Sequence, residues 1–64
     1  MINRYGDFAV VPYGMSHKDQ CRIAADGIER IRRALEGQVV RIEINYAVGS
    51  STKLSWEVSV DDGR

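Results

Sequence analysis

Two runs in the second half of the chain alternate strictly between apolar and polar residues. Val40, Ile42, Ile44, Tyr46 and Val48 are interleaved with Arg41, Glu43, Asn45 and Ala47. Leu54, Trp56, Val58 and Val60 are interleaved with Lys53, Ser55, Glu57 and Ser59. Side chains on a strand point to opposite faces in turn, so this pattern builds strands with one dry and one wet face. Gly49-Ser50-Ser51 between the runs marks the turn of a hairpin. Both apolar sets fall on even numbers, so facing residues must have even sums, which excludes a simple two-residue turn. Pairing 46 with 54 sets Glu43 against Glu57. Pairing 44 with 54 sets Arg41 against Glu57 and Ile42 against Trp56, and is the expected register, because favourable cross-strand pairs contribute about 0.2–1 kcal/mol each.

A dry sheet face needs a cover, and the chain supplies one helix. Ser16-His17-Lys18-Asp19 reads as an N-cap with an acidic residue at the third helical position. Ala24, Ile28, Ile31 and Leu35 then recur on one face, and Cys21 extends the stripe one turn earlier. Gly37 offers a left-handed stop, and Arg32 and Arg33 sit where the helix dipole favours cations. The expected helix covers roughly residues 17–36. Gly27 lies inside it at a cost of about 1 kcal/mol relative to alanine. That cost is explained if a large sheet residue, Trp56 or Tyr46, fills the space beside it.

Phe8-Ala9-Val10-Val11 is a short β-rich run closed by Pro12, Tyr13 and Gly14. Proline cannot donate to a ladder, so this strand belongs at an edge or stops at Val11. Ile2-Asn3-Arg4-Tyr5 is a candidate fourth short strand, joined through a Gly6-Asp7 turn. The Asp61-Asp62-Gly63-Arg64 tail reads as short, polar and frayed. Residues 1–64 are thus expected to form a single small α+β domain. Its order is β-α-β-β, with a three-stranded, mainly antiparallel sheet and one helix packed on one face. The hairpin's second strand would lie between the other two.

Composition removes several function classes. Nine Lys and Arg offset nine Asp and Glu, whereas nonspecific nucleic-acid binding draws on positive charge. Arg22, Arg30, Arg32 and Arg33 form the basic concentration on the helix. However, Arg22–Asp26, Asp26–Arg30, Glu29–Arg33 and Arg32–Glu36 all stand at the spacing of helical ion pairs. RNA-binding sheets carry aromatics on their open face, and the face expected to be open here, Arg41, Glu43, Asn45, Lys53, Ser55, Glu57 and Ser59, has none. Nucleic acid therefore ranks below protein as a partner.

Cys21 and His17 are the single cysteine and histidine. They offer no disulfide, too few ligands for a structural zinc site, and no third group to hold a Cys-His pair for nucleophilic attack. The glycines show no phosphate-binding order. No catalytic, cofactor or metal site is expected, and the chain is expected not to be an enzyme. Residues 1–7 lack a basic segment followed by an apolar run, and no stretch approaches the roughly 18 apolar residues of a membrane span. With no disulfide framework, a cytoplasmic setting is expected.

Three functions follow in order. The first is a small non-enzymatic protein-binding module that inhibits or regulates a larger protein or complex. By size and type alone it compares with inhibitors from phages and mobile elements, such as anti-CRISPR proteins and antitoxins. Its candidate contact residues are Arg22, Asp26, Glu29, Arg30 and Arg33 on the helix, and Arg41, Glu43, Lys53 and Glu57 on the sheet. Tyr5 and Tyr13 would serve as aromatic anchors. The second is a homodimer or other homo-oligomer that buries the odd-numbered apolar residues Val11, Val39 and Ala47. The third is nucleic-acid binding through the arginine-bearing helix face.

Overall fold

The run with the cleanest alternation takes the centre of the sheet. In a computed structural model, which describes residues 1–63, the elements follow as β1 (Ile2–Val10), α1 (His17–Ala34), β2 (Gln38–Asn45) and β3 (Lys53–Asp61). The sheet order is β1-β3-β2, and both pairings are antiparallel. Strand β3 is therefore bonded on both sides, and its even residues Leu54, Trp56, Val58 and Val60 are all buried. Helix α1 covers that face, where Ala24 and Ile28 join the core and Ile23, Ile31 and Leu35 pack around it.

Local chemistry sets the ends of the helix. Ser16 Oγ accepts a hydrogen bond from the Asp19 N–H at 3.2 Å, the expected cap. At the other end the helix stops at Ala34, short of the expected 17–36, because Leu35 turns to an extended conformation and packs on the core. Gly37, at φ +116°, carries the chain past β3. A Cβ on Gly37 would lie 2.8 Å from the Asp61 carbonyl oxygen, so a side chain is excluded there by both conformation and space.

Gly27 seats the Trp56 indole. A Cβ on Gly27 would fall 2.8 Å from Trp56 Nε1 and nearer still to ring carbons Cζ2 and Cε2. Of the two residues expected to fill that space, Trp56 does so.

Several expectations are corrected. Residues 2–10 form one continuous strand, with no fourth strand and no turn at Gly6-Asp7, because β3 is long enough to pair Ile2 with Asp61 and Val10 with Lys53. The hairpin adopts the register that faces Glu43 with Glu57 and Ile44 with Trp56, not the one facing Arg41 with Glu57. Two features outweigh the like-charge pair. Arg41 reaches Glu43 at 3.0 Å along its own strand, and Gln20 fixes the end of β2 by accepting from the Ala47 N–H at 2.9 Å.

A shift in the β2–β3 register between Val39 and Arg41 makes Val40 the extra residue of a bulge. Val39 then packs against the core, while Val40 is half exposed. Val48 lies beyond the strand and is exposed, and Ile42 on the outer strand is only partly covered. Val11 is fully buried and Ala47 packs on the core, so Val11, Val39 and Ala47 are not surplus surface. Nor is the C-terminal segment frayed through Asp62: Asp61 closes β3, the Asp62 N–H donates to the Met1 carbonyl at 3.2 Å, and Asn3 donates to Asp62 Oδ2. Arg64 lies outside the described residues.

Candidate functional site

With one helix on one face, the opposite face of the sheet has no covering element among the described residues. Its composition follows from register. Phe8 faces Ser55 and Arg4 faces Ser59, so the even residues of β1 lie on the same side as the odd residues of β3. Ile2, Arg4, Gly6, Phe8 and Val10 therefore join Lys53, Ser55, Glu57 and Ser59, with Arg41, Glu43 and Asn45 from β2. This face was expected to carry no aromatic residue. Instead, Phe8 is 55% exposed, Ile2 58% and Val10 77%.

The Lys53 ammonium sits 4.6 Å from the centre of the Phe8 ring, a cation–π contact that contributes about 0.5–1 kcal/mol at an exposed site. A shallow groove of about 380 Å³ runs beside it, lined by Gly6, Phe8, Asn45, Lys53, Ser55 and Glu57 among others. At the far end a second groove of about 260 Å³ lies between Ile2, Arg4, Val40, Arg41, Glu43 and Ser59. Gly6 leaves the middle of β1 without a side chain, which keeps the centre of the face low.

Among the described residues, no strand pairs with the outer edge of β1. The Val11 N–H donates to the Thr52 carbonyl at 2.7 Å, and the Asp62 N–H to the Met1 carbonyl. Both are cross-strand partners in the β1–β3 register, so odd residues of β1 bond inward to β3. The N–H and C=O groups of Ile2, Arg4, Gly6, Phe8 and Val10 consequently point away from the sheet. One of these donors is occupied: the Phe8 N–H is held by Asp7 Oδ1 at 2.8 Å.

The expected contact residues fall into separate groups. Tyr5 and Tyr13 are exposed, one on the helix side of the β1 edge and the other in the turn beyond it. Arg41, Glu43, Lys53 and Glu57 are brought together on the open face. Arg22, Asp26, Glu29, Arg30 and Arg33 are exposed on the other side of the molecule. Arg30 pairs with Asp26 at 2.8 Å, and Glu29 takes both Arg33 at 3.5 Å and Arg32 at 3.7 Å. Among the described residues Arg22 makes no ion pair with Asp26, nor Arg32 with Glu36. The pairs that do form offset part of the positive charge on this face.

The sequence reading missed Ile2, Arg4, Phe8 and Val10. The signal was present in the pairing rule: β1 meets β3 with odd-numbered sums, which turns Phe8 and Val10 outward and Ala9 and Val11 inward.

His17 and Cys21 converge on Tyr46. The His17 and Tyr46 rings lie 4.4 Å apart, tilted by 45°. Cys21 Sγ is 3.5 Å from the Tyr46 hydroxyl. That hydrogen bond first, and then desolvation, raise the Tyr46 phenol above its ordinary pKa. Beside them Gln20, buried, donates to the Met15 carbonyl at 3.0 Å while accepting from Ala47. The cluster ties the helix start to the end of β2. No group of His, Cys, Asp or Glu able to hold a metal ion occurs among the described residues, and no helix there is long and apolar enough to cross a membrane.

No family model, curated protein or solved structure matches this chain.

Proposed function

We propose that the chain is a small non-enzymatic protein-binding module that inhibits or regulates a larger protein or complex through its open sheet face. One observation carries this reading: an uncovered face on which exposed Phe8, Ile2 and Val10 lie among Arg4, Lys53, Arg41, Glu43 and Glu57. Exposed aromatic and aliphatic side chains along an edge strand, interspersed with charges of both signs, give such a face the apolar and polar contacts that protein interfaces combine. A nucleic-acid site would need a positive surplus, whereas the chain has equal numbers of basic and acidic residues. The helix face is a weaker candidate, because Asp26 and Glu29 already pair with Arg30 and Arg33 within the helix and the face carries no exposed aromatic residue.

The test is capture of the partner from the source cells, followed by paired substitutions. Phe8→Ala with Lys53→Ala is expected to weaken capture by about tenfold or more, the loss of one interface hot spot. Arg30→Ala with Arg33→Ala is expected to leave it unchanged. The reverse outcome moves the interface to the helix and overturns this reading.

A further inference from the structure

We infer that the free edge of β1 pairs antiparallel with the β1 edge of a second copy of this chain, centred on Gly6. The inference rests on the binding-module reading only in taking exposed apolar residues to mark an interface. It names one partner, and its test reads self-association alone.

Three observations carry it. First, β1 is a continuous nine-residue edge strand with no proline and no bulge. At about 3.4 Å per residue it presents some 30 Å of ladder. The β2 edge, by contrast, is interrupted at Val40. Natural sheets block edges by proline, bulges, covering elements or charge; β1 has neither proline nor bulge, and its two charged residues are Arg4 and Asp7. Second, the outward N–H and C=O groups belong to the even residues. An antiparallel partner centred on Gly6 also presents even residues, so the hydrogen-bonding groups meet in phase.

Third, that register is complementary to itself. Ile2 faces Val10 of the second copy, Arg4 faces Phe8, Tyr5 faces Asp7, and Gly6 faces Gly6. The pairs are apolar with apolar, cation with aromatic ring, and phenol with carboxylate. The competing symmetric registers are poorer. Centring on Arg4 sets two guanidinium groups opposite each other, and centring on Asp7 sets two carboxylates opposite each other. Centring on Tyr5 leaves Ala9 and Val10 without partners. Only the Gly6-centred register uses the strand from end to end.

The chain carries one obstacle to this pairing, the Asp7 carboxylate on the Phe8 N–H. On pairing, Phe8 donates instead to the Arg4 carbonyl of the second copy, and Asp7 is released toward the facing Tyr5. The two-fold axis stands perpendicular to the sheet, so both helices remain on one side. The product is a six-stranded antiparallel sheet whose two open faces form one continuous platform, with Phe8 and Lys53 of each copy still accessible.

Sedimentation equilibrium over a dilution series tests the dimer, with charge reversal to test the register. Ile2 and Val10 are both exposed, so Ile2→Lys with Val10→Lys, and Ile2→Asp with Val10→Asp, leave the monomer core untouched. Circular dichroism checks that both variants fold. The wild-type chain is expected to self-associate, and each double variant to weaken this about tenfold or more by setting like charges opposite each other. Mixing the two variants is expected to restore a heterodimer. A wild-type chain that stays monomeric, or a Lys variant that dimerises as well as wild type, overturns pairing through the β1 edge. Failure of the mixture to reassociate overturns the register. Capture of a different protein through Phe8 and Lys53 is scored separately on the chain with Ile2 and Val10 intact, at dilutions where sedimentation shows it monomeric, so the two readings fail independently.

Discussion

The two faces of β3 share one backbone and differ in what covers them. On the helix side Leu54 and Val58 are fully buried, and Trp56 lies in the space left by Gly27. On the other side Lys53 and Glu57 are exposed, and Ser55 and Ser59 are screened by neighbouring strands rather than by a packed layer. The difference locates the two tasks of a very small domain. A chain of this length buries only about 60% of its unfolded surface, so nearly all its stability must come from one dry layer. The second face contributes little to folding and is left available for contact.

The two faces differ most at Trp56. Trp56→Ala is expected to cost about 3–5 kcal/mol, enough to unfold a domain whose whole stability is of order 3–10 kcal/mol at typical values per residue. Glu57→Ala, one position along on the opposite face, is expected to change stability by no more than about 0.5 kcal/mol. Urea denaturation of the two variants checks the contrast. A similar loss from both would mean that the open face is covered in solution.

Gly27→Ala sharpens the same point with a smaller effect. Helix propensity alone would favour alanine by about 1 kcal/mol, but the added Cβ collides with the indole. A net destabilisation of about 1–3 kcal/mol is expected, the usual range for overpacking. A raised melting temperature would show that Trp56 can move aside.

The smallest effect lies at the rim of the covered face. Because the Tyr46 pKa is raised in the folded chain, the neutral phenol is favoured by folding. Its contribution is fully present below the ordinary tyrosine pKa near 10 and is lost as pH rises through the folded value. Cys21→Ala removes the largest cause of the shift. It is therefore expected to move phenolate formation at Tyr46 back toward the ordinary range, as read by ultraviolet titration with Tyr5→Phe and Tyr13→Phe in the background. An unchanged titration would assign the shift to desolvation.

Residues that interact locally were legible in the sequence. The Ser16 cap, the Ala24–Ile28 stripe and the even-numbered alternation of β3 all lie within a few positions of what they determine. The order of elements and the central place of β3 followed from them. Strand β1 was legible as a strand at Phe8–Val11, but its full length and its inward face were not, because apolar residues fall on both faces: Phe8 and Val10 alternate with Ala9 and Val11. Only the partner strand decides which pair turns inward, and that decision moved the aromatic centre of the candidate site onto the open face. The hairpin register was hidden for a related reason. A single cross-strand charge pair, worth about 0.2–1 kcal/mol, does not fix a register by itself, and the Gln20 bond to Ala47 joins residues far apart in sequence. The polar members of the site, Arg41, Glu43, Lys53 and Glu57, were legible from alternation alone.

Residue-resolved amide exchange along β1 tests most directly the claim that the covered side is closed and the open edge is free. In solutions dilute enough to be monomeric, the amides of Asn3, Tyr5, Asp7, Ala9 and Val11 are expected to exchange slowly. Those of Ile2, Arg4, Gly6 and Val10 should exchange rapidly and slow only as concentration rises. Uniform protection of all of them in the dilute monomer would contradict the account, because it would mean that the outer edge of β1 is already occupied within the single chain.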